Sequence, residues 1–278
     1  AADGAAARAV LAEHGVAIVP GVLDAAACAA LKAGVWDGIE NATADFAPPA
    51  AAPVKRDDPT TFVHLKHLWP KHSMLHQLWG LGHLQAVWDV RQHPRVAGTF
   101  AQLWSTRPED LLVSFDGLSL HVPPEQNQNR GWFRNLWMHV DQSYTRNDFE
   151  CVQGWVTAHD VNDGDATLAF LRGSHAHHGA VADACGLRAG KDAKKDWHKL
   201  DDDAMAAYAA RGCAPARVRC KAGDLVLWDS RTVHCGVEPE RGRAGAATQR
   251  CAVYVCMQPR ARATPAALRK KQAALAAR

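Results

Sequence analysis

At 278 residues, 47% of them hydrophobic and 22% charged, the chain can bury a large core without disulfide or metal staples. A formal net charge of +3 is close to neutral for this size and gives no reason to expect a nucleic-acid or membrane surface. No run of 18 or more apolar residues is present to form a transmembrane helix.

Residues 5–35 are predicted to form a helix, a short strand and a second helix. The strand is the β-branched, glycine-bounded piece 15-GVAIVPGVL, and Asp24 is a predicted N-cap for the helix after it. The proline- and alanine-rich stretch 44–59 is predicted to be a loop. From 62 to 104 a stripe of Trp69, Leu75, Leu78, Leu81, Leu84 and Trp88 at spacings of three and four predicts helix with a core-facing side.

After residue 108 short strands are expected at 110-DLLVSFDGLSL, 135-NLWMHVD, 151-CVQGWVTAHD, 167-TLAFLRGSH, 216-ARVRC, 224-DLVLWDS and 250-RCAVYVCMQP. Turn signals at 162-NDGD, 221-KAGD and 240-ERGRAG divide them, and the segment about 176–215 reads as a helical insertion. This pattern predicts a mainly β chain with α: a jelly-roll core over about 108–262 and a helical N-terminal part over about 1–105, forming one domain.

Histidine, with 15 copies, and tryptophan, with 10, are the prominent residue types for chemistry. Of the histidines, His139 alone is followed two places later by an acid, Asp141. On a strand, residues i and i+2 share a face, so the imidazole and the carboxylate can converge on one ion. A third ligand, His234 at the end of 223-GDLVLWDSRTVH, completes a two-His-one-carboxylate face that leaves positions open for chemistry at Fe(II). Cys235 follows it directly, and strand alternation is expected to turn that thiol away.

Sixteen residues beyond His234, Arg250 opens the apolar strand 250-RCAVYVCM. A buried arginine there needs a carboxylate partner, either a ligand's or that of an internal Asp or Glu. Arg241 and Arg243 lie closer to His234, in a Gly-rich loop where solvated side chains are expected. His175, His177 and His178 are expected in a turn and a surface loop. His64, His67, His72 and His76 have helical spacing without an acid or thiol to complete a metal site.

Four segments together resemble the phytanoyl-CoA dioxygenase-like branch of the Fe(II)/2-oxoglutarate oxygenases: 14-HGVAIVPGVLDAAACAAL, 139-HVD, 153-QGWVTAHDVNDGDATLAFLRGSH, and 223-GDLVLWDSRTVHCG followed by Arg250. They occur in the family's order across nearly the whole chain. The resemblance implies a double-stranded β-helix (cupin-like) core, with Fe(II), 2-oxoglutarate and O₂ as cofactor and co-substrates. His139, Asp141 and His234 map onto the metal ligands, and Arg250 onto the residue gripping the distal carboxylate of 2-oxoglutarate, with Thr248 sharing it. Gln153 and Trp155 map onto the strand lining the co-substrate pocket. The His-to-Arg interval is longer than the family's usual one, so Arg243 stands as an alternative clamp. Asp141 occupies the position that related halogenases vacate for chloride, which favours hydroxylation or desaturation.

The implied activity is hydroxylation of a small molecule. The alternatives are a metal-binding jelly roll without turnover, or an oxygenase of a macromolecule such as a protein side chain or modified base. No nucleic-acid or membrane partner is expected. Segments 121–134 and 176–215 have no clear family counterpart, and Arg130, Trp132 and Gln142 are the expected substrate residues. The eight cysteines form no C-x-x-C pair, and reduced thiols in an intracellular, cytoplasmic compartment are expected; the missing initiator Met leaves room for a removed targeting segment.

Overall fold

The computed structural model describes residues 3–68 and 74–277. In chain order the elements are α1 (Asp3–His14), β1 (Val16–Val19), α2 (Ala25–Ala42), a 3₁₀ segment (Pro59–Leu68), α3 (Gln85–Gln92) and α4 (Pro94–Leu103). Then come β2 (Leu111–Val113), β3 (Leu118–His121), β4 (His139–Val140), β5 (Val152–Thr157), β6 (Thr167–Leu171), α5 (His178–Ala184), β7 (His198–Lys199) and α6 (Asp202–Ala209). The chain ends with β8 (Pro215–Arg217), β9 (Leu225–Asp229), β10 (His234–Val237), β11 (Arg250–Pro259) and α7 (Pro265–Ala276).

The protein is mixed α/β with two antiparallel sheets. The first runs β1-β9-β5-β11-β2, with β3 also paired to β11. The second runs β7-β4-β10-β6-β8. Alternation along β11 shows how the layers form. Cys251, Val253, Val255 and Met257 pack into one core with Leu31 and Val35 of α2, Val87 of α3 and Phe100 of α4. Ala252 belongs instead to a smaller core with Trp155, Val226 and Trp228 of the same sheet and Leu168 of the second sheet. The second sheet turns Ala169, Leu171, Cys235 and Val237 toward Val181 of α5 and Ala204 and Tyr208 of α6. The order is therefore helices, sheet, sheet, helices. Each fully buried Val or Leu stabilises the stack by about 1.5–3 kcal/mol.

Local signals explain several boundaries. The Asp24 carboxylate accepts from the Ala27 amide at 2.8 Å and caps α2 as predicted. Asp201 does the same for α6 through Ala204, at 2.9 Å. Gly15 (φ +77°) lies so close to the turn before β10 that a Cβ there would sit 2.6 Å from Thr232 Oγ1 and from His175 Nδ1. Thr232 Oγ1 donates to Gly15 O at 2.9 Å, and Ser174 Oγ accepts from the Val233 amide at 2.9 Å. The Gly173–His175 turn thus buttresses the residue immediately ahead of His234.

The predicted helix over 62–104 breaks into the 3₁₀ segment, a single 3₁₀ turn at Leu81–His83, α3 and α4. Leu75 and Leu78 lie outside any helix, and Trp69 and His72 lie outside the described residues. His76 leaves its expected helical row altogether. It bridges Leu68 O (3.2 Å) and Leu120 O (3.1 Å), and its main chain pairs with Leu118. His178, expected on a surface loop, is 1% exposed and stacks on Tyr144. The 176–215 insertion is helical only in part, because β7 within it pairs with β4, Lys199 opposite His139. His234 follows the turn after β9 and opens β10.

Candidate metal centre and its cavity

Two strands bring the ligand set together. β4 ends with His139-Val140 and the chain turns at Asp141, whose amide donates to Ser230 O at 3.0 Å. β10 pairs with β4 with His234 directly opposite His139, and the two rings lie 4.4 Å apart, centroid to centroid. Asp141 Oδ2 is 3.8 Å from His139 Nε2 and 3.4 Å from His234 Nε2. One donor atom from each residue lies within 4.8 Å of the others. Metal bonds of about 2 Å put cis donors about 3 Å apart, so the carboxylate–imidazole pairs must close by under about 1 Å for an ion to fit.

Hydrogen bonds fix which ring nitrogen faces the centre. His234 Nδ1 lies 2.9 Å from Thr232 O. A carbonyl only accepts, so Nδ1 carries the proton and the Nε2 lone pair is free. His139 Nδ1 faces Trp137 O in the same sense at 3.4 Å. Trp137 stacks on the His139 ring at 4.7 Å and 11°, and is itself tied by its indole N–H to Gly236 O at 2.8 Å.

Burial holds His139 down to about 3, and a charge on His234 would push it the same way. Burial pushes the Asp141 carboxyl up, but its contact with His234, helped by His139 and Gln153, outweighs this and holds it at about 2. At neutral pH these two ligands are therefore neutral imidazole and carboxylate, the forms that bind a metal. Gln153 Nε2 donates to Asp141 Oδ2 at 2.9 Å, while its Oε1 is buried without a partner.

The triad opens on a cavity of about 140 Å³ that Gln153, Trp228, Tyr254 and Arg250 also line. Arg250 is 4% exposed. Its Nε donates to Ser119 Oγ at 3.0 Å, its Nη1 to Ala166 O at 3.3 Å, and its guanidinium lies 4.7 Å from the Trp155 ring centroid. Among the described residues no carboxylate lies within 4 Å of it, so the internal Asp or Glu partner envisaged from sequence is not found. Arg243 is not solvated as expected: its side chain is 3% exposed and ion-paired with Asp165 (3.0 Å) and Glu125 (2.9 Å). Thr248 does not reach the cavity, its hydroxyl donating instead to Ala246 O at 3.3 Å.

The residues expected to meet a substrate are dispersed. Gln142 is 1% exposed, and its amide serves Arg146 O, Asp148 O and Ser230 Oγ. It braces the chain after Asp141, with both amide hydrogens donated to main-chain oxygens. Arg130 and Trp132 line a separate cleft. Sequence reasoning missed Trp137, Trp228 and Tyr254 as cavity residues. For Tyr254 the signal was available: it is four residues beyond Arg250 on one strand, hence on the same face. Cys235 is fully buried among apolar residues away from the triad, as alternation predicts.

All eight cysteines are free thiols, with Cys151 and Cys256 in contact at 3.6 Å. No helix among the described residues is long and apolar enough to cross a membrane.

Residues 11–238 match the sequence profile of the family described as Phytanoyl-CoA dioxygenase (PhyH). A curated relative, Ava biosynthesis cluster protein O of Aspergillus versicolor, is 32% identical over 203 residues, covering 70% of this chain and 61% of that protein. The chain thus spans about three fifths of that relative's length. Solved structures share the fold. The α-ketoglutarate-dependent carbocyclase SnoK from nogalamycin biosynthesis superposes with TM-score 0.56 and 17% identity, over 91% of this chain and 82% of that one. The epimerase SnoN, in complex with Fe³⁺, α-ketoglutarate and nogalamycin RO, gives 0.52 and 16%, over 93% and 84%. AviO1 of Streptomyces viridochromogenes Tue57 gives 0.52 and 19%, over 95% and 98%.

Proposed function

The chain belongs to the phytanoyl-CoA dioxygenase family, and on that premise we propose that it is an Fe(II)- and 2-oxoglutarate-dependent dioxygenase that hydroxylates a small molecule. The two facing sheets are then the halves of a double-stranded β-helix with the metal between them. His139, Asp141 and His234 hold Fe(II), and the bound iron with 2-oxoglutarate supplies O₂-driven oxidation coupled to loss of CO₂ and formation of succinate.

The observation that carries the co-substrate is Arg250. A guanidinium 4% exposed, without an acid partner and facing the triad's cavity, is a costly arrangement in a protein that binds no anion there. A dicarboxylate would supply the missing charge to Arg250 and leave its other end for the triad's metal. Trp155 underlies the guanidinium and fixes its plane. Gln153 orients Asp141, and its buried, unpartnered Oε1 would accept from a donor brought in with the bound group. Trp137 and Trp228 wall the two histidines. Arg243 is spent on Asp165 and Glu125, which favours Arg250 as the clamp.

The neighbours named above are a carbocyclase and an epimerase. Where the substrate sits beside the metal, more than the metal site itself, is what separates such outcomes. Hydroxylation is the reading for this chain because Asp141 completes the ligand set and leaves no protein-vacated position for a halide. Calorimetric titration under nitrogen tests the assignment. One equivalent of Fe(II) should bind, 2-oxoglutarate should bind only to the loaded protein, and Asp141→Ala should abolish both. Metal binding that survives Asp141→Ala and His234→Ala would place the ion elsewhere and end the proposal.

A further inference from the structure

Beyond the triad, one pair of reactive side chains stands in contact: Cys151 Sγ and Cys256 Sγ, 3.6 Å apart. Among the described residues no other two thiols touch. The meeting follows from the sheet register. Cys256 on β11 pairs with Gln153 on β5, and Cys151 precedes Gln153 by two, so the three side chains share one face. That face looks at the metal centre. Gln153 donates to Asp141 Oδ2 at 2.9 Å, and Cys256 lines the triad's cavity together with Arg250 and Tyr254 of its own strand. Cys151 lines a separate concavity of about 510 Å³ that also reaches Asp141. The two thiols thus belong to the partition between these spaces, with Asp141 bordering both.

Hydrogen bonds tie the pair to that ligand. The Ser230 amide donates to Cys151 O at 3.1 Å, and the Asp141 amide donates to Ser230 O at 3.0 Å. A shift of Cys151 therefore reaches Asp141 through one residue, and a shift of Cys256 reaches it through the paired Gln153. Bridging the two sulfurs requires them to close by about 1.5 Å. The thiols are also unequal. Their contact holds Cys151 below the ordinary thiol value and raises Cys256, and half-buried Cys151 is the one that faces the larger concavity.

We propose that Cys151 and Cys256 form a redox-active dithiol whose oxidation to a disulfide weakens metal binding at the triad. Resting on the reading of the triad as a metal centre, the inference adds a regulation of that site. The oxidant is a small-molecule disulfide of the glutathione class. The Cys151 thiolate attacks one of its sulfurs and expels the other as a thiolate, leaving a mixed disulfide. Cys256, deprotonated, then attacks Cys151 Sγ and expels the second thiolate. The protein loses two electrons and two protons, and the oxidant leaves as two thiols.

Glutathione is the probe. The metal-free full-length chain is equilibrated under nitrogen in mixtures of reduced and oxidised glutathione, the remaining thiols are alkylated, and peptides are read by mass spectrometry. A Cys151–Cys256 linkage should appear, grow with the oxidised share and vanish with dithiothreitol. Cys256→Ser should instead retain glutathione on Cys151, while Cys185→Ser, which packs in the other helical layer, should leave the linkage as in wild type. Calorimetric titration of Fe(II) under nitrogen should give a Kd about tenfold or more weaker for the bridged form, because the bonds that support Asp141 have moved. Dithiothreitol should restore it, and Cys151→Ser/Cys256→Ser should show no such oxidant effect. A pair that stays reduced in the most oxidising mixture, a bridge to a different cysteine, or Fe(II) affinity within about twofold in bridged and reduced protein overturns the proposal. Reduced protein that binds no Fe(II) fails the metal-centre reading and this inference with it. Reduced protein that binds Fe(II), with a bridge that forms to no effect, fails the inference alone.

Discussion

Arg250→Ala separates the clamp role from a structural one. In the ligand-free protein the guanidinium makes hydrogen bonds to Ser119 and Ala166 O and lies over Trp155, and no acid offsets its burial. Truncation therefore removes modest contacts and a costly buried charge together. The two effects oppose, so the melting temperature of the ligand-free protein should move by only a few degrees. With 2-oxoglutarate bound the balance changes, because truncation strands a carboxylate in a site of low dielectric. Leaving a buried charge unpaired costs about 3–5 kcal/mol, which at 1.4 kcal/mol per decade is roughly 100- to 1,000-fold or more in Kd. Calorimetry with the Fe(II)-loaded protein under nitrogen reads this directly, and the stabilisation that 2-oxoglutarate confers on melting should vanish in parallel. Arg250→Lys should fall between, since an ammonium supplies charge without the planar fork. If Arg250→Ala binds 2-oxoglutarate within threefold of wild type, the clamp lies elsewhere and the reasoning from an unpaired buried cation fails.

Gln153→Leu removes the side-chain amide that donates to Asp141 Oδ2 and should weaken Fe(II) binding about 10- to 100-fold with little change in melting temperature, measured by competition with a chelator. Stability should fall with acid over a defined window. Burial holds His178 and His121 down to about 4, so below the ordinary value of 6.5 the unfolded chain takes up protons that the folded chain refuses. Their contribution, a few kcal/mol together, is complete above pH 6.5 and is lost as pH falls toward 4. Melting temperatures across that range should show this slope, and His178→Phe, which keeps the stack on Tyr144, should flatten it. Gly223→Ala should destabilise by about 1–3 kcal/mol, because the residue sits at φ +87° and a Cβ would lie 2.2 Å from Leu23 O; an unchanged denaturation midpoint would contradict this.

The elements most legible in the sequence are those whose pattern is local. Asp24 ahead of an apolar helix, the β-branched run at Val16–Val19 and the alternating strand from Arg250 onward each carry their own period. The two-residue strands β4 and β7 are too short to have one. They exist because β10 and the insertion supply partners, a long-range fact that no window of sequence contains. His76 was misplaced for a related reason: its spacing is helical, but bonds to Leu68 O and Leu120 O determine where it lies. The His139–Asp141–His234 grouping was legible because its spacing and order together mark it out. The commitments of Arg243 and Gln142 were not, because ion pairs with residues as distant as Glu125 and amide bonds to main-chain oxygens leave no trace in composition.

On the proposed function, this chain couples O₂ to 2-oxoglutarate at the triad. The most direct test is succinate released from 2-oxoglutarate by the Fe(II)-loaded protein in air, compared with the His234→Ala variant at equal protein and iron. Catalytic succinate formation should require Fe(II), O₂ and 2-oxoglutarate together and fall to the free-iron background in the variant. Succinate at background level from wild-type protein shown to hold one equivalent of Fe(II) and to bind 2-oxoglutarate would contradict it.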